Sequence, residues 1–163
     1  METQLLFVDA STLLNFLFVG RFDLVQTLGY RIRVVDAVYN EIQSMRKELD
    51  SLIEQNQIRT LTLEGEPLLN RLASLINRGL DTGEAFTVAA AIEHGGVVAM
   101  DDRRAIKKSR EEAPSLIVFT SSDIVVAGLK SSKISIEEAD IIKSHWSTNY
   151  RFNLKFGSFK ELL

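Results

Sequence analysis

The sequence predicts a three-layer α/β/α domain around a mostly parallel sheet of four or five strands. Three observations carry this. Leu5–Val8, Val97–Met100 and Leu116–Phe119 are short apolar runs without polar alternation, the pattern of strands buried on both faces, and Ile32–Val35, interrupted by Arg33, is a further strand candidate. Segments of helical spacing separate them, and strands alternating with helices imply right-handed crossovers and a parallel sheet. Two of the runs also end in carboxylates, Asp9 and the Asp101-Asp102 pair, and open parallel sheets build their sites at such strand ends.

The elements follow in order. Leu5–Val8 is the first strand, and the stretch from Met1 to Asp9 reads as a strand rather than a signal peptide, because no basic residue precedes the apolar run. Ser11 to Val19 is a Leu- and Phe-rich helix stopped near Gly20, and Phe22 to Leu28 is a short helix closed by Gly29. After the Ile32–Val35 strand, Asp36 is the expected N-cap of one amphipathic helix carrying Val38, Ile42, Met45, Leu49 and Leu52. Ile58 to Leu63 alternates apolar and polar residues, as a short edge strand or an extended connection would. Glu66 to Asn77 is a helix with Pro67 in its first turn, and Asp81 to Glu93 is an alanine-rich helix ended by Gly95-Gly96. Arg103 to Glu112 is a basic helix, and Ser121 to Leu129 and Ile136 to Tyr150 are the last two.

The 163 residues suffice for one domain with a real core. No repeat, low-complexity segment or linker divides them, so residues 1–163 are read as a single domain with a core over about 4–120 and a helical C-terminal segment over about 121–163. With no cysteine, a disulfide scaffold and a thiolate zinc site are excluded, and a cytoplasmic location is expected. No apolar run approaches the roughly 20 residues that cross a bilayer, so no membrane association is expected. The net charge of −3 gives no whole-chain attraction to nucleic acid, which leaves local basic patches to supply any.

Four separated segments place an acid where one pocket could receive it: Asp9, Glu41, Glu84 and the Asp101-Asp102 pair. Each has a plainer use. Asp9 and the aspartate pair could cap the helices that follow them. Glu41 borders the buried stripe of its helix and could simply be solvated. Asp81-Thr82-Gly83-Glu84 fits a capping box, in which Glu84 spends its oxygens on the cap backbone. The coincidence of four favours a shared site. Clustered carboxylates repel one another unless protonated or neutralised by a cation, and an all-oxygen set suits Mg²⁺ or Mn²⁺.

Val8-Asp9-Ala10-Ser11-Thr12-Leu13-Leu14-Asn15, Val35-Asp36-Ala37-Val38-Tyr39-Asn40-Glu41-Ile42, Asp81-Thr82-Gly83-Glu84-Ala85 and Met100-Asp101-Asp102-Arg103-Arg104-Ala105 together resemble, in order and spacing, a PIN domain. The resemblance implies a metal-dependent endoribonuclease on a PIN-like parallel sheet, hydrolysing RNA phosphodiesters through a carboxylate-held Mg²⁺ or Mn²⁺ and an activated water. It implies that Asp9, Glu41 and Glu84 are catalytic metal ligands or water positioners, with Asp101 or Asp102 as the fourth acid. Ser11 would support Asp9 by hydrogen bonding, and Asn15 would stand behind the ligands or cap and pack. It also admits a toxin-like role with an antitoxin protein as partner, and a homodimer. The third acid of the family is often aspartate, whereas Glu84 is one methylene longer. A non-catalytic PIN-like module that binds RNA or a protein is the alternative. A receiver-type domain also ends strands in acids, but Phe119 is followed by Thr120-Ser121 rather than lysine.

Arg103, Arg104 and Lys107, with Lys108 and Arg110, follow the acidic strand end and are candidates for RNA phosphates, set against a solvated helix face partly neutralised by Glu111 and Glu112. Trp146, Tyr150, Arg151, Phe152, Lys155 and Phe156 mix aromatics with bases. Such a mixture can stack unpaired bases, but closing a core or a dimer interface is the commoner use and the one expected here. His94 and His145 lack metal-ligand spacing and are expected to be structural or exposed.

Overall fold

A computed structural model describes residues 3–163, so Met1 and Glu2 of the N-terminal stretch lie outside the described residues. The chain runs β1 (Leu5–Val8), α1 (Ala10–Phe18), α2 (Asp23–Gln26), β2 (Arg31–Val35), α3 (Asp36–Glu41), α4 (Arg46–Glu54), β3 (Arg59–Leu61), α5 (Glu66–Asn77), α6 (Thr82–His94), β4 (Val97–Ala99), α7 (Arg103–Glu112), β5 (Val118–Phe119), α8 (Ser121–Lys130) and α9 (Ile136–Tyr150), with a 3-10 turn at Phe159–Leu162. The five strands form one sheet in the order β3-β2-β1-β4-β5, and every neighbouring pair is parallel. This is the expected three-layer architecture.

The strand order decides where a site can form. From β1 the chain moves outward to β2 and β3, then returns to the other side of β1 for β4 and β5. Crossovers therefore diverge at the β1–β4 junction, which opens a crevice beyond the carboxyl ends of those two strands. Val8 is in register with Ala99, and the Asp9 N–H donates to the Ala99 carbonyl at 2.9 Å. The two acid-ending strands are thus direct neighbours.

The apolar runs form the core. Leu6, Phe7, Val8, Val34, Val98 and Ala99 are fully buried, because helices cover both faces of a parallel sheet. The alanines of α6 let it approach the sheet closely, and Ala85, Ala89 and Ala90 have no exposure. Trp146 from α9 is also fully buried. It packs edge-on to Phe16 at 5.5 Å, and its indole N–H donates to the Asn15 carbonyl at 2.7 Å. The C-terminal helix therefore closes the core, as expected for that aromatic. No helix among the described residues is long and apolar enough to cross a membrane.

Two local expectations fail. The single amphipathic helix after β2 is two helices, α3 and α4, separated at Met45, whose φ of 62° is left-handed. The i+3/i+4 apolar spacing continues across the break, since both halves bury the same stripe. Asp36 is not an N-cap. Val35 holds that position, without a side-chain bond, and Asp36 accepts a short hydrogen bond from Thr62 instead.

Glu112 does not neutralise the cations of its own helix. It accepts from Arg78 Nε at 2.8 Å and Ser74 Oγ at 2.9 Å and pairs with Arg71 at 3.5 Å, tying α7 to α5. Burial works against its charge, but Ser74 and the two arginines hold its carboxyl below the usual glutamate range. A depressed folded value stabilises the fold above the unfolded value of 4.5 and the contribution fades as pH falls through the folded one. Glu112→Gln is therefore expected to lower stability by roughly 1 kcal/mol at neutral pH. In urea titrations its deficit against wild type should shrink at pH 3.

Candidate active site

The carboxylates at the crevice mouth come from four elements. Asp9 follows β1 and begins α1. It is only 6% exposed, and among the described residues the one side chain bonded to it is the Ser11 hydroxyl, donating to Oδ2 at a long 3.4 Å. Burial first, then the negative charges of Glu84, Asp81 and Glu41, push its carboxyl up to about 7, although the Ala10 backbone N–H works the other way. A buried acid among like charges with no cation beside it is poorly satisfied as an anion. Among the described residues, none of Asp9, Glu41, Asp81, Glu84, Asp101 or Asp102 takes part in an ion pair.

Glu41 closes α3, and partial burial together with Asp81 raises its carboxyl. Its position depends on Gly83. A Cβ on Gly83 would overlap Glu41 Oε1 and lie 2.9 Å from Cδ, so α3 and α6 can bring this carboxylate against the α6 backbone only because residue 83 has no side chain.

Glu84 divides its oxygens. The capping box is present: the Glu84 N–H donates to Asp81 Oδ1 at 2.8 Å, and the Asp81 N–H donates to Glu84 Oε1 at 2.9 Å. Oε2 takes no part in the box. Burial, then the charges of Asp81 and Asp102, raise the Glu84 carboxyl against the pull of the Asp81 backbone.

The consecutive acids after β4 have separate tasks. Asp102 caps α7, with Oδ1 accepting from the Ala105 N–H at 2.9 Å, and its charge reaches Glu84. Asp101 is the centre of a bonded hub. Oδ2 accepts from Thr12 Oγ1 at 2.7 Å and Ser121 Oγ at 2.5 Å, and Oδ1 accepts from the Ser121 N–H at 2.9 Å. Asn15 Nδ2 donates to Ser121 Oγ at 3.2 Å, which places Asn15 behind this hub rather than at the carboxylates themselves. Thr12, Asn15 and Ser121 are buried, so the hub locks β4 and the start of α8 onto α1.

The family model DUF3368, a PIN domain, matches residues 5–138. The chain belongs to the PIN domain family. Its fold is similar to a PilT N-terminus domain protein from Sulfolobus solfataricus P2, with a TM-score of 0.53 at 12% identity over 77% of this chain and 94% of that one. It is also similar to PAE2754 from Pyrobaculum aerophilum, with a TM-score of 0.50 at 18% identity over 76% of this chain and 88% of that one. No curated protein matches it.

Within this PIN domain, the charges of Glu84, Asp81 and Glu41 are felt at Asp9, and that of Asp102 is felt at Glu84. Asp81 belongs to the same negative field, although it was read only as a helix cap; its place one turn before Glu84 was the available signal. Gly83, Thr12 and Ser121 carried no signal, because their partners lie far away in the chain. Of the candidate cations, Arg103, Arg104 and Lys107 are exposed and, among the described residues, unpaired. Arg104 reaches back to Gly79, where its Nη2 lies 3.0 Å from the place a Cβ would occupy.

The donor set is oxygen only and rich in unpaired charge, which fits a hard divalent cation. Among the described residues no three acidic or imidazole groups are close enough to cage an ion by themselves. An ion such as Mg²⁺, which keeps several waters and needs one or two carboxylates, suits that spread.

Proposed function

We propose that the chain is a Mg²⁺- or Mn²⁺-dependent endoribonuclease that hydrolyses RNA phosphodiesters. The observation that carries this is Asp9: a buried carboxyl, facing the charges of Glu84, Asp81 and Glu41 with no cation paired to any of them. Asp9 with one of Glu41, Glu84 and Asp102 would hold an ion that keeps most of its waters. Bound there, the ion would supply charge stabilisation at the phosphoryl oxygens and acidify a water. The chain's own groups do the rest. Glu84 Oε2, left over from the capping box, can accept a proton from the attacking water. Asp101 positions, through Thr12 and Ser121, the strand end on which Asp102 stands. Arg103, Arg104 and Lys107 offer cations to the RNA backbone beside the acids. A toxin-like role, with an antitoxin protein as its inhibitor in the cytoplasm, and a homodimer are extensions of the same proposal.

The test is incubation of the purified protein with an RNA panel, with Mg²⁺ or Mn²⁺ and with EDTA. Cleavage that requires the ion and is lost in Asp9→Asn supports the proposal, and an Asp9→Asn protein as active as wild type overturns it. The spread of the acids also favours a second reading, a PIN-like module that binds RNA or a protein without cutting. Metal-insensitive RNA binding without cleavage would select it.

A pH dependence follows. An ion must displace the proton from Asp9, so binding competes with protonation below about 7. Mn²⁺ affinity is expected to rise by up to about tenfold per pH unit between pH 5.5 and 7 and to level off by pH 8, as read by calorimetry.

A further inference from the structure

A second recess opens beside the carboxylates. It is a cleft of about 350 Å³ between the carboxyl ends of β4 and β5 and the irregular segment after α9, with Asp101 and Arg103 on one wall and Phe152, Asn153, Lys155 and Phe156 on the other. That size is at the lower end of small-ligand sites, suitable for one nucleoside. The second wall lies in the C-terminal segment beyond residue 138, where the family match ends.

Its chemistry is mixed in a particular way. Phe152 is held edge-on by the fully buried Trp146 at 5.3 Å, and Phe156 by the fully buried Phe159 at 4.9 Å. Both phenylalanines remain half-buried and so present rigid apolar surface to the cleft. Arg103 and Lys155 are exposed and, among the described residues, form no ion pair. Asn153 Oδ1 accepts from Ser147 at 2.5 Å, which leaves its amide NH₂ available as a donor. Arg103 also lines a groove on the far side with Lys107 and Arg110, so cationic surface continues from the cleft along α7. Fixed aromatic surface, an unpaired cation on each wall and a hydrogen-bond donor at the rim match a base flanked by its phosphates.

We propose that this cleft takes one unpaired base of single-stranded RNA beside the carboxylate site. The proposal rests on the nuclease reading for its choice of RNA. It implies selection of strand form: a base held in an A-form duplex is stacked and cannot enter, whereas an unpaired base can be splayed into the cleft.

The test is fluorescence anisotropy with a labelled 12-nucleotide single-stranded RNA and its duplex, using the full chain carrying Asp9→Asn so that the RNA stays intact. The single strand is expected to bind at least tenfold more tightly than the duplex. Phe152→Leu, which keeps apolar volume and removes the π-face, should weaken single-strand binding by about fivefold or more. Lys155→Ala, at an exposed residue with little effect on folding, should weaken it about threefold and flatten its salt dependence by about one phosphate contact. Equal binding of single strand and duplex, or unchanged binding in both Phe152→Leu and Lys155→Ala, overturns the proposal. RNA that binds in this pattern but is not cut by the wild-type protein with Mn²⁺ supports the cleft and removes the nuclease reading. RNA that is cut, with affinity indifferent to both variants, does the opposite.

Discussion

Replacing Asp9 by asparagine is expected to reduce RNA cleavage at least about a hundredfold and, at pH 8 without divalent ions, to make the protein more stable than wild type. The first effect follows from removing an anion central to the proposed ion site, where the ion contributes several kcal/mol to the reaction. The second follows from burial. The Asp9 carboxyl sits at about 7 in the fold against an ordinary value of 3.8. Between those values the folded state keeps a proton that the unfolded state has released, so wild-type stability falls as pH rises through this window and stays low above it. Asparagine has nearly the same shape and no charge to bury. Its advantage should be near zero at pH 4 and reach about 2–4 kcal/mol at pH 8, given about 1.4 kcal/mol per pKa unit. Thermal melts in EDTA at several pH values measure it. Adding Mn²⁺ should then raise the wild-type Tm, because the ion binds only the folded state, and leave Asp9→Asn unmoved. A variant that is both inactive and less stable at every pH would show that Asp9 is an ordinary structural aspartate.

Gly83→Ala is expected to fold normally and to lose about 10–100-fold in cleavage, the loss seen when groups supporting a metal site are disturbed. Gly83 is in the first turn of α6 and has an ordinary helical backbone, without the positive φ found at Gly79 or Gly95. Alanine there costs no strain, and its helix propensity is better by up to about 1 kcal/mol. The added methyl group nevertheless overlaps Glu41 Oε1. The end of a long, partly exposed side chain moves aside at little cost, so the site is damaged while the fold is not. The informative comparison is with Glu41→Gln. If Gly83 acts through Glu41, the double variant should cleave no more slowly than Glu41→Gln alone, because coupled residues are not additive. Full activity in Gly83→Ala would remove Glu41 from the site.

Much of this arrangement was legible in the residues. Continuous apolar runs marked most of the buried strands, but the strand order that makes β1 and β4 neighbours had no local signal, because pairing between distant segments leaves no spacing pattern in the chain. Asp9 and Glu84 could be named because each stands at the start of a helix, and Glu41 because it borders the buried stripe of its helix. The break at Met45 could not be seen, because no glycine or proline marks it and the apolar spacing runs straight through. The division of labour between Asp101 and Asp102 was hidden for a different reason. Adjacent residues at a strand end face different neighbours, and those neighbours, Thr12 and Ser121, lie 89 and 20 residues away from Asp101. Asp81 caps its helix as expected; its added charge on Asp9 was hidden because Asp9 lies 72 residues away in the chain. The C-terminal aromatics were read as closing a core or a dimer interface, and Trp146 is in the core. Phe152 and Phe156 are only half covered, and a spacing pattern cannot tell full from partial burial.

The most direct measurement of the central claim is an anomalous difference map from crystals grown with Mn²⁺ at pH 8. A peak bounded by Asp9 and at least one of Glu41, Glu84 and Asp102, and absent in Asp9→Asn crystals, is the predicted result. A well-ordered crystal with saturating Mn²⁺ and no density beside Asp9 would contradict it.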